Sequence, residues 1–331
     1  MFHCRELKQQ AENSLSRSVC DPKRLLLIHI GVMTVASLLL TVIDYVLQLQ
    51  IDATGGLSGI ATRSMLSTVS AVLQLMFFAL APFWQAGYIR VSLAVARGEQ
   101  ADTDSLFSGL RRFGPILRLY LLQTLVFGAL MIGSNYASSF LYLLTPWGRG
   151  MLGQLTSILE QSGSLPTEES LGSLSQHGVP MLILAGVVFL ILAIPIFYRM
   201  RLSLYRVMDG QTKALQAILE SVKLTKGRWF SLMKLDLSFW WFYALEVAIG
   251  LIGYMDLLLA LAGHPLPWSE ALGFFLPYIL YLLLQLGFQL WQKNRVAVTY
   301  AHAYEVLSKP REPQLPAEAD SKKPWDNFYS Q

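Results

Sequence analysis

Residues 25–43 read LLLIHIGVMTVASLLLTVI, and this stretch decides the fold class. The apolar run continues to residue 49, which makes it longer than the roughly 20 helical residues that cross a hydrocarbon core of about 30 Å. A bilayer core offers no hydrogen-bond partners to exposed backbone groups, so a segment that crosses it alone is helical. The stretch therefore predicts a membrane-spanning helix.

Five further apolar runs of similar length follow along the chain. They lie at residues 66–96, 116–144, 179–205, 229–261 and 271–298. A single run is also compatible with a buried helix of a water-soluble protein, but six runs at regular spacing are not. We therefore predict an all-α fold, a polytopic transmembrane helix bundle with six spans over residues 25–307.

The composition agrees with a membrane protein. Of the 331 residues, 53% are hydrophobic and only 15% are charged, whereas soluble domains carry roughly 25% charged residues. These values argue against a soluble enzyme, a disordered chain and a disulfide scaffold. The net charge of +4 is a small excess, and we expect no nucleic-acid partner.

Positively charged residues predict the orientation. All of the 26 lysines and arginines except Arg63 and Arg149 fall in the two terminal segments, in the second and fourth connections, or at the margins of these regions. Lys and Arg near the spans mark the cytoplasmic side, so we predict that both termini are cytoplasmic. Cys4 and Cys20 then face a reducing compartment, and we expect free thiols without a role.

The two terminal segments have different patterns. In residues 1–24, Leu7, Ala11 and Leu15 form one helical stripe, which is typical of a helix that lies on a membrane surface. Residues 308–331 contain four prolines, which predicts a disordered cytoplasmic tail. The first apolar run is too long for the apolar region of a signal peptide, and we expect it to remain as a helix.

The second connection predicts a short amphipathic helix on the cytoplasmic side. Its apolar positions share one helical face: Leu106, Phe107, Leu110 and Phe113. Asp102 or Asp104 is placed to cap the start of this helix. The sequence Asp102-Thr-Asp104 also resembles the acidic pair of some metal-dependent transferases, but helix capping explains it more simply.

The fourth connection predicts a second amphipathic cytoplasmic helix. Its apolar positions also share one face: Leu215, Ile218, Leu219 and Val222. Gly227 follows where the left-handed residue that ends a helix is expected. Each of these two helices joins one span to the next.

Motifs of soluble enzyme chemistry are missing from the sequence. There is no HExxH, GxSxG or P-loop sequence. The five histidines are scattered singly, which does not indicate a metal site. We therefore predict no cofactor, no metal and no enzymatic activity.

Polar residues inside the predicted spans are the candidates for a functional site, because ionisable groups are costly in lipid. Asp236 and Glu246 lie in the fifth span. Counting about 1.5 Å per residue from Trp229 puts Asp236 in the inner third and Glu246 in the outer half of an unbroken helix. Gln74 and Asn135 fall at a depth similar to that of Glu246 and are its candidate partners.

Gln285 and three arginines complete this candidate site. Gln285 shares a face of the sixth span with Gln289. The arginines, which lie near the inner interface, are Arg90, Arg199 and Arg201. One of them is a candidate ion-pair partner of Asp236; alternatively, all three reach lipid phosphate and set the topology.

Several stretches, taken in order, resemble a known family. They are RELKQQA at 5–11, ARGE at 96–99, LFSGLRRFG at 106–114, KGRWFSLMKLDLSFWWF at 226–242 and VTYAHAYEVL at 298–307. This ordered set is similar to the bacterial integral-membrane family catalogued as domain of unknown function 975. The resemblance implies a polytopic protein of the plasma membrane. It implies no activity, cofactor or catalytic residue.

Two interpretations of function follow from the sequence. The first is a structural or regulatory membrane protein that acts through partners, with anionic lipid or a protein bound at the cytoplasmic helices. The alternative is a transporter or channel for a small solute or lipid. The polar residues of the fifth and sixth spans favour this alternative.

Overall fold

The computed structural model describes residues 3–18, 20–53, 57–160, 168–210, 212–253 and 270–309. All regular secondary structure within these ranges is helical. This confirms the predicted all-α class. The predicted disordered tail, 308–331, lies outside the described residues except for its first two positions.

Twelve helices make up the described part of the chain. The first six are α1 (Cys4–Arg17), α2 (Pro22–Ala53), α3 (Leu57–Arg97), α4 (Thr103–Arg111), α5 (Phe113–Leu144) and α6 (Pro146–Glu160). The other six are α7 (Glu168–Met200), α8 (Ser203–Asp209), α9 (Ala214–Thr225), α10 (Trp229–Leu237), α11 (Trp240–Gly253) and α12 (Glu270–Ser308).

Four described helices are long and apolar enough to cross a membrane. These candidate spans are Pro22–Leu47, Ser64–Arg97, Phe113–Leu144 and Pro180–Asp209. The helices α10 and α11 meet at an angle of 60° and give a fifth candidate if the bent pair is one span. Helices of this length and composition indicate a membrane protein.

The fifth and sixth predicted spans differ from the expectation. The fifth is not one straight helix, because the amides of Ser238 and Phe239 bond to carbonyls of Lys234, Leu235 and Asp236 in a tight turn between α10 and α11. Its last residues, 254–261, lie outside the described part. The sixth lies within α12, which is not among the four or five candidates.

The buried side chains collect at one end of the bundle, which we call the packed end. It consists of α1, α4, α8, α9 and α10 together with the adjoining parts of the long helices, residues 22–30, 83–97, 113–123, 198–202 and 288–308. Fully buried side chains there include Leu26, Leu93, Leu119 and Tyr304. The long helices are therefore joined to one another mainly at this end.

The remaining parts of the long helices form what we call the exposed end. It consists of residues 32–46, 64–80, 125–147, 180–194, 244–252 and 276–287. Large apolar side chains such as Leu75, Phe78 and Leu182 are exposed here. Between α5 and α7 the packing uses small side chains, and Ser134, Ser138 and Ala185 are buried. Small residues at such contacts are typical of helices packed within a bilayer.

The helix α1 does not present its apolar stripe to a surface. Leu7 and Ala11 are buried in the packed end. The ammonium of Lys8 donates to the carbonyl oxygen of Ser238 at 2.7 Å, and the Ser14 hydroxyl lies 2.9 Å from Nε2 of His302. Leu7 and Ala11 lie on one face of α1, as predicted. The protein itself covers this face instead of a membrane surface, so α1 is part of the core.

The helix α4 packs against α3 through two glycines. A Cβ atom at Gly87 would lie 1.8 Å from the carbonyl oxygen of Leu106, and one at Gly109 would lie 1.9 Å from that of Phe83. Asp102 caps α4 and accepts from the Ser105 amide at 3.1 Å, which confirms the capping interpretation. On the predicted apolar face, Leu106 is buried, whereas Phe107, Leu110 and Phe113 stay exposed.

The helix α9 packs against the protein mainly with its small side chains and leaves two of its leucines exposed. Small residues are buried against the protein, namely Ala214, Ala217, Ser221 and Thr225. The Ser221 hydroxyl donates to the carbonyl oxygen of Arg199 at 2.7 Å. Leu215 and Leu219 are 59% and 53% exposed. Small side chains let the α9 backbone approach α7 closely. The leucines therefore remain exposed on the surface of the protein. Gly227 follows with φ +73°, as expected.

Candidate functional site

A pocket of about 380 Å³ opens between α3, α8, α11 and α12. Its polar lining includes an acid, Glu246, and two cations, Arg201 and Lys293. Four tyrosines also line it: Tyr88, Tyr205, Tyr243 and Tyr300. The pocket lies where the packed end adjoins the exposed end, since Glu246 belongs to the exposed part of α11 and the cations to the packed end.

Arg201 and Asp236 form an ion pair beside this pocket. The turn between α10 and α11 places Asp236 opposite Arg201, which follows the end of α7. The hydroxyl of Tyr198 donates to Oδ2 of Asp236 at 2.6 Å, and that of Tyr243 donates to Oδ1 at 3.2 Å. Both carboxylate oxygens therefore have a tyrosine donor.

The guanidinium of Arg201 is also held from its other side. Its Cζ lies 4.1 Å from the centre of the Tyr300 ring, a cation–π arrangement that stabilises a desolvated arginine. The side chains of Arg201 and Asp236 are 20% and 16% exposed. Because the pair has hydrogen bonds and an aromatic contact around it, it fits a structural role in joining α7, α10 and α12.

The other two candidate arginines do not join Asp236. Arg199 is exposed and Arg90 is half-buried. Neither side chain has an ion pair within the described part of the chain. They remain available for the alternative interpretation, contact with lipid phosphate.

Glu246 and Lys293 make longer polar contacts than Arg201 does, and neither forms an ion pair in the described part of the chain. The amide of Gln285 is 3.5 Å from Oε1 of Glu246, at the limit of a hydrogen bond. Oε1 of Gln285 is buried without a partner. The ammonium of Lys293 donates to Oε1 of Gln289 at 3.2 Å and lies 5.7 Å from the centre of the Tyr88 ring.

Two opposite charges thus line one pocket without a direct ion pair. The six ion pairs of the described residues include neither Glu246 nor Lys293. Each of these half-buried charges would be stabilised by a partner of opposite charge in the pocket. The arrangement is therefore complementary to a solute that carries one positive and one negative group.

The structure does not bring Glu246 together with Gln74 or Asn135, its candidate partners. Both residues are exposed and bond within their own helices. The Gln74 amide contacts the Ser70 hydroxyl at 3.5 Å, and the Asn135 amide donates to the carbonyl oxygen of Met131 at 2.9 Å. Counting residues gives depth along a helix but not the direction in which a side chain points.

Sequence analysis missed Lys293 as a member of the site and used it only for orientation. The signal was present, because Gln285, Gln289 and Lys293 are spaced by four residues and so share a face of α12. The tyrosines had no comparable signal. Tyr88 comes from α3 and Tyr243 from α11, and only the tertiary fold brings them together.

A second polar cluster joins four helices of the packed end. Arg97 of α3 pairs with Asp209 of α8 at 2.6 Å and with Glu305 of α12 at 2.5 Å. Tyr304 donates to Oδ2 of Asp209 at 2.8 Å. Arg206 of α8 bonds to Glu220 of α9. We call this set the ionic network.

Two groups of the ionic network lie outside the candidate spans and have shifted acidities. The hydrogen bond from the Arg206 guanidinium lowers the pKa of the Glu220 carboxyl. Burial raises the pKa of the Tyr304 hydroxyl to about 12. Every acid of the network has a cationic partner, so the network fits a role in stabilising the fold.

Within the described ranges, no group of three or more His, Cys, Asp or Glu side chains is arranged to hold a metal ion. Cys4 and Cys20 are both half-buried free thiols.

In comparisons with models of protein families, with curated proteins and with solved structures, no match was found. The resemblance to domain of unknown function 975 therefore stays a prediction.

Proposed function

We propose that this chain is a transporter or channel whose pocket binds a small solute with one positive and one negative group. The observation that carries the proposal is that Glu246 and Lys293 line the same pocket without an ion pair between them. A bound solute of this kind would give each charge a partner. We propose binding and passage of the solute rather than a chemical reaction.

The proposal includes six spans in the plasma membrane of a bacterium, with both termini cytoplasmic. The distribution of Lys and Arg supports this orientation. In this arrangement α12 supplies the sixth span, and the packed end lies at the cytoplasmic side. The bacterial origin and the plasma membrane rest on the resemblance to domain of unknown function 975, which we keep as part of the proposal.

Solute passage can be tested in liposomes that contain the purified chain. Glycine is the probe, because it is small and carries both charges. We expect liposomes with the wild-type chain to swell faster in isotonic glycine than protein-free liposomes. A double variant, Glu246→Leu with Lys293→Leu, should abolish the difference, since buried charges are often replaced by apolar residues without loss of the fold.

The control for this variant is Val247→Leu, because Val247 is the neighbour of Glu246 and is exposed on the outside of α11. It should leave swelling unchanged. Glycine permeation equal to that of protein-free liposomes, or equal permeation by the double variant and the wild type, would contradict the proposal.

A second candidate is the structural or regulatory role that the sequence placed first. The ionic network favours it, because four helices are joined by paired charges in a way that suits a rigid scaffold. The charges of the polar pocket, which form no ion pair with each other, favour transport over this role. If the chain shows no glycine permeation, the result would favour a structural or regulatory protein that acts through partners.

A further inference from the structure

A second cavity is lined by none of the residues of the polar pocket and has a different character. It is a groove of about 530 Å³ between the start of α5 and the start of α9. Two cations line it, Arg118 of α5 and Lys213 at the start of α9. None of the described residues that line it is acidic.

Both cations of the groove are exposed and available. Neither Arg118 nor Lys213 takes part in an ion pair of the described residues. The nearby Arg112 differs, because its guanidinium donates to the carbonyl oxygens of Val207, Met208 and Gly210. Arg112 is therefore committed to the end of α8, while the two groove cations are not.

The start of α9 adds to the positive character of the groove. Lys213 is the N-cap residue and makes no side-chain hydrogen bond to the first turn. Ala214 and Leu215, the first two residues of the helix, line the groove. Unpaired amides and the helix dipole favour an anion at such a place, which reinforces the two side-chain charges.

The remainder of the groove is apolar and continues from the charged part. Arg118, Leu121, Leu122 and Leu125 follow one another on one face of α5 and all line the groove. From Arg118 to Leu125 this face extends about 10 Å along the helix axis. Leu215 faces it from α9 and is itself mostly exposed. Such a wall matches part of an acyl chain.

We propose that this groove binds an anionic phospholipid. Arg118 and Lys213 hold the phosphate, and an acyl chain lies along Leu121, Leu122 and Leu125. The proposal also explains why α9 turns its leucines outward, because that face then meets lipid. A free phosphate compound would use the two cations but not the apolar wall. The inference does not depend on the polar pocket or on transport.

Lipid affinity of the full chain in detergent tests the proposal. The probes are phosphatidylglycerol and phosphatidylcholine with identical acyl chains, measured by native mass spectrometry. We expect tighter binding of phosphatidylglycerol. Arg118→Gln with Lys213→Gln should weaken it roughly 20- to 30-fold, since each cation near a lipid headgroup contributes about a factor of five. Phosphatidylcholine binding should weaken much less, because its choline group already offsets the charge of its phosphate.

The matched control removes two positive charges outside the groove. Arg111→Gln with Lys226→Gln replaces two exposed cations outside the groove and should leave the affinity for phosphatidylglycerol within about twofold of the wild type. All of these side chains are exposed, so the thermal midpoints of both variants should equal that of the wild type.

Glycerol phosphate separates a lipid from a soluble phosphate compound. It should fail to displace phosphatidylglycerol at millimolar concentration, and shortening the acyl chains should weaken binding. Displacement by glycerol phosphate would overturn the lipid assignment. An unchanged affinity of the Arg118 and Lys213 variant would overturn the site. A changed oligomeric state of that variant without a change in lipid affinity would make the groove a protein interface.

Discussion

The packed end and the exposed end are built from the same long helices, yet they are stabilised in different ways. In α3, Leu93 at the packed end is 0% exposed, whereas Leu75 at the exposed end is 68% exposed. The ion pairs that link different helices also lie at the packed end. The protein therefore stabilises one end by its own contacts and leaves the other to its surroundings.

A bilayer accounts for this difference. Lipid chains are as apolar as leucine, so an exposed leucine in a span costs nothing and helices need not cover it. At the packed end the short helices α4, α8 and α9 fill the space between the long ones. Substitutions should therefore act strongly at the packed end and weakly at the exposed end, and four predictions test this contrast.

The largest effect is expected from breaking the Arg201–Asp236 pair. Arg201→Gln leaves a carboxylate that is 16% exposed without its cation, and the loss of one partner of a buried pair costs about 4 kcal/mol. Arg149→Gln, which replaces an exposed cation of α6 beside the exposed end, should change the free energy of unfolding by less than about 0.5 kcal/mol. Unfolding titrations in mixed micelles measure both.

The double variant Arg201→Gln with Asp236→Asn is the control for this first prediction. It removes both charges, so it should recover part of the loss. Equal stability of the single variant and the wild type would show that the pair does not hold the packed end together.

The next effect concerns two leucines of one helix. Leu93→Ala removes a fully buried side chain and should lower the free energy of unfolding by about 3 kcal/mol. Leu75→Ala removes an exposed one and should lower it by less than about 0.5 kcal/mol. The same micelle titration compares them. Similar losses at both positions would contradict the division into two ends.

Two glycine substitutions should have smaller effects on stability, and the two effects should be opposite in sign. Gly109→Ala would put a Cβ atom 1.9 Å from the Phe83 carbonyl oxygen, and the forced separation of α3 and α4 should cost about 2 kcal/mol. At Gly128 in α5 no atom lies within 4 Å of the added Cβ. Gly128→Ala should stabilise the helix by up to about 1 kcal/mol. Thermal midpoints should shift in opposite directions.

The smallest effect is a pH dependence at the contact between α1 and α12. Burial lowers the pKa of His302 below its usual 6.5. Between that lowered pKa and 6.5, the unfolded chain binds the proton and the folded chain does not, so stability falls as the pH falls through this window. Above pH 6.5 the contribution is fully present.

His302→Gln removes this titration and tests the last prediction. The variant should show a flatter dependence of the thermal midpoint on pH between 6.5 and 5 than the wild type. His3, which lies outside helix α1 and is exposed, provides the matched control His3→Gln. If the two variants show identical pH profiles, the contact between Ser14 and His302 does not respond to protonation.

Much of the fold could be predicted from local sequence. The apolar runs predict the long helices because length alone decides whether a segment can span a bilayer. The Asp102 cap and the left-handed Gly227 also follow from local rules. The break between α10 and α11 could not be predicted, because no glycine or proline marks it and the Asp236 contacts that accompany it are tertiary.

The candidate site was predictable only in part. Asp236, Glu246 and Gln285 stand out because a polar residue in an apolar run is conspicuous. Gln74 and Asn135 stood out for the same reason and do not meet Glu246, since residue counting cannot give the direction of a side chain around a helix. The packing of α9 could not be predicted either, because its pattern of leucines gives an apolar face but does not tell whether lipid or protein covers that face.

Thiol labelling of neighbouring residues tests the central claim, that the polar pocket is open to water within a bundle covered by lipid. In a chain with Cys4→Ser and Cys20→Ser, single substitutions Glu246→Cys and Lys293→Cys probe the pocket. Val247→Cys and Trp291→Cys are the matched controls, because these neighbours are each 64% exposed on the outside of the bundle. An impermeant, charged reagent is applied to each side of sealed vesicles.

We expect the two pocket cysteines to react from at least one side, at least tenfold faster than their neighbours, because a thiol in contact with lipid rarely ionises. The reaction of Arg149→Cys in the same vesicles confirms that the reagent is active. Equal protection of all four positions while Arg149→Cys reacts would contradict the account, because Glu246 and Lys293 would then lie in a closed, dry bundle.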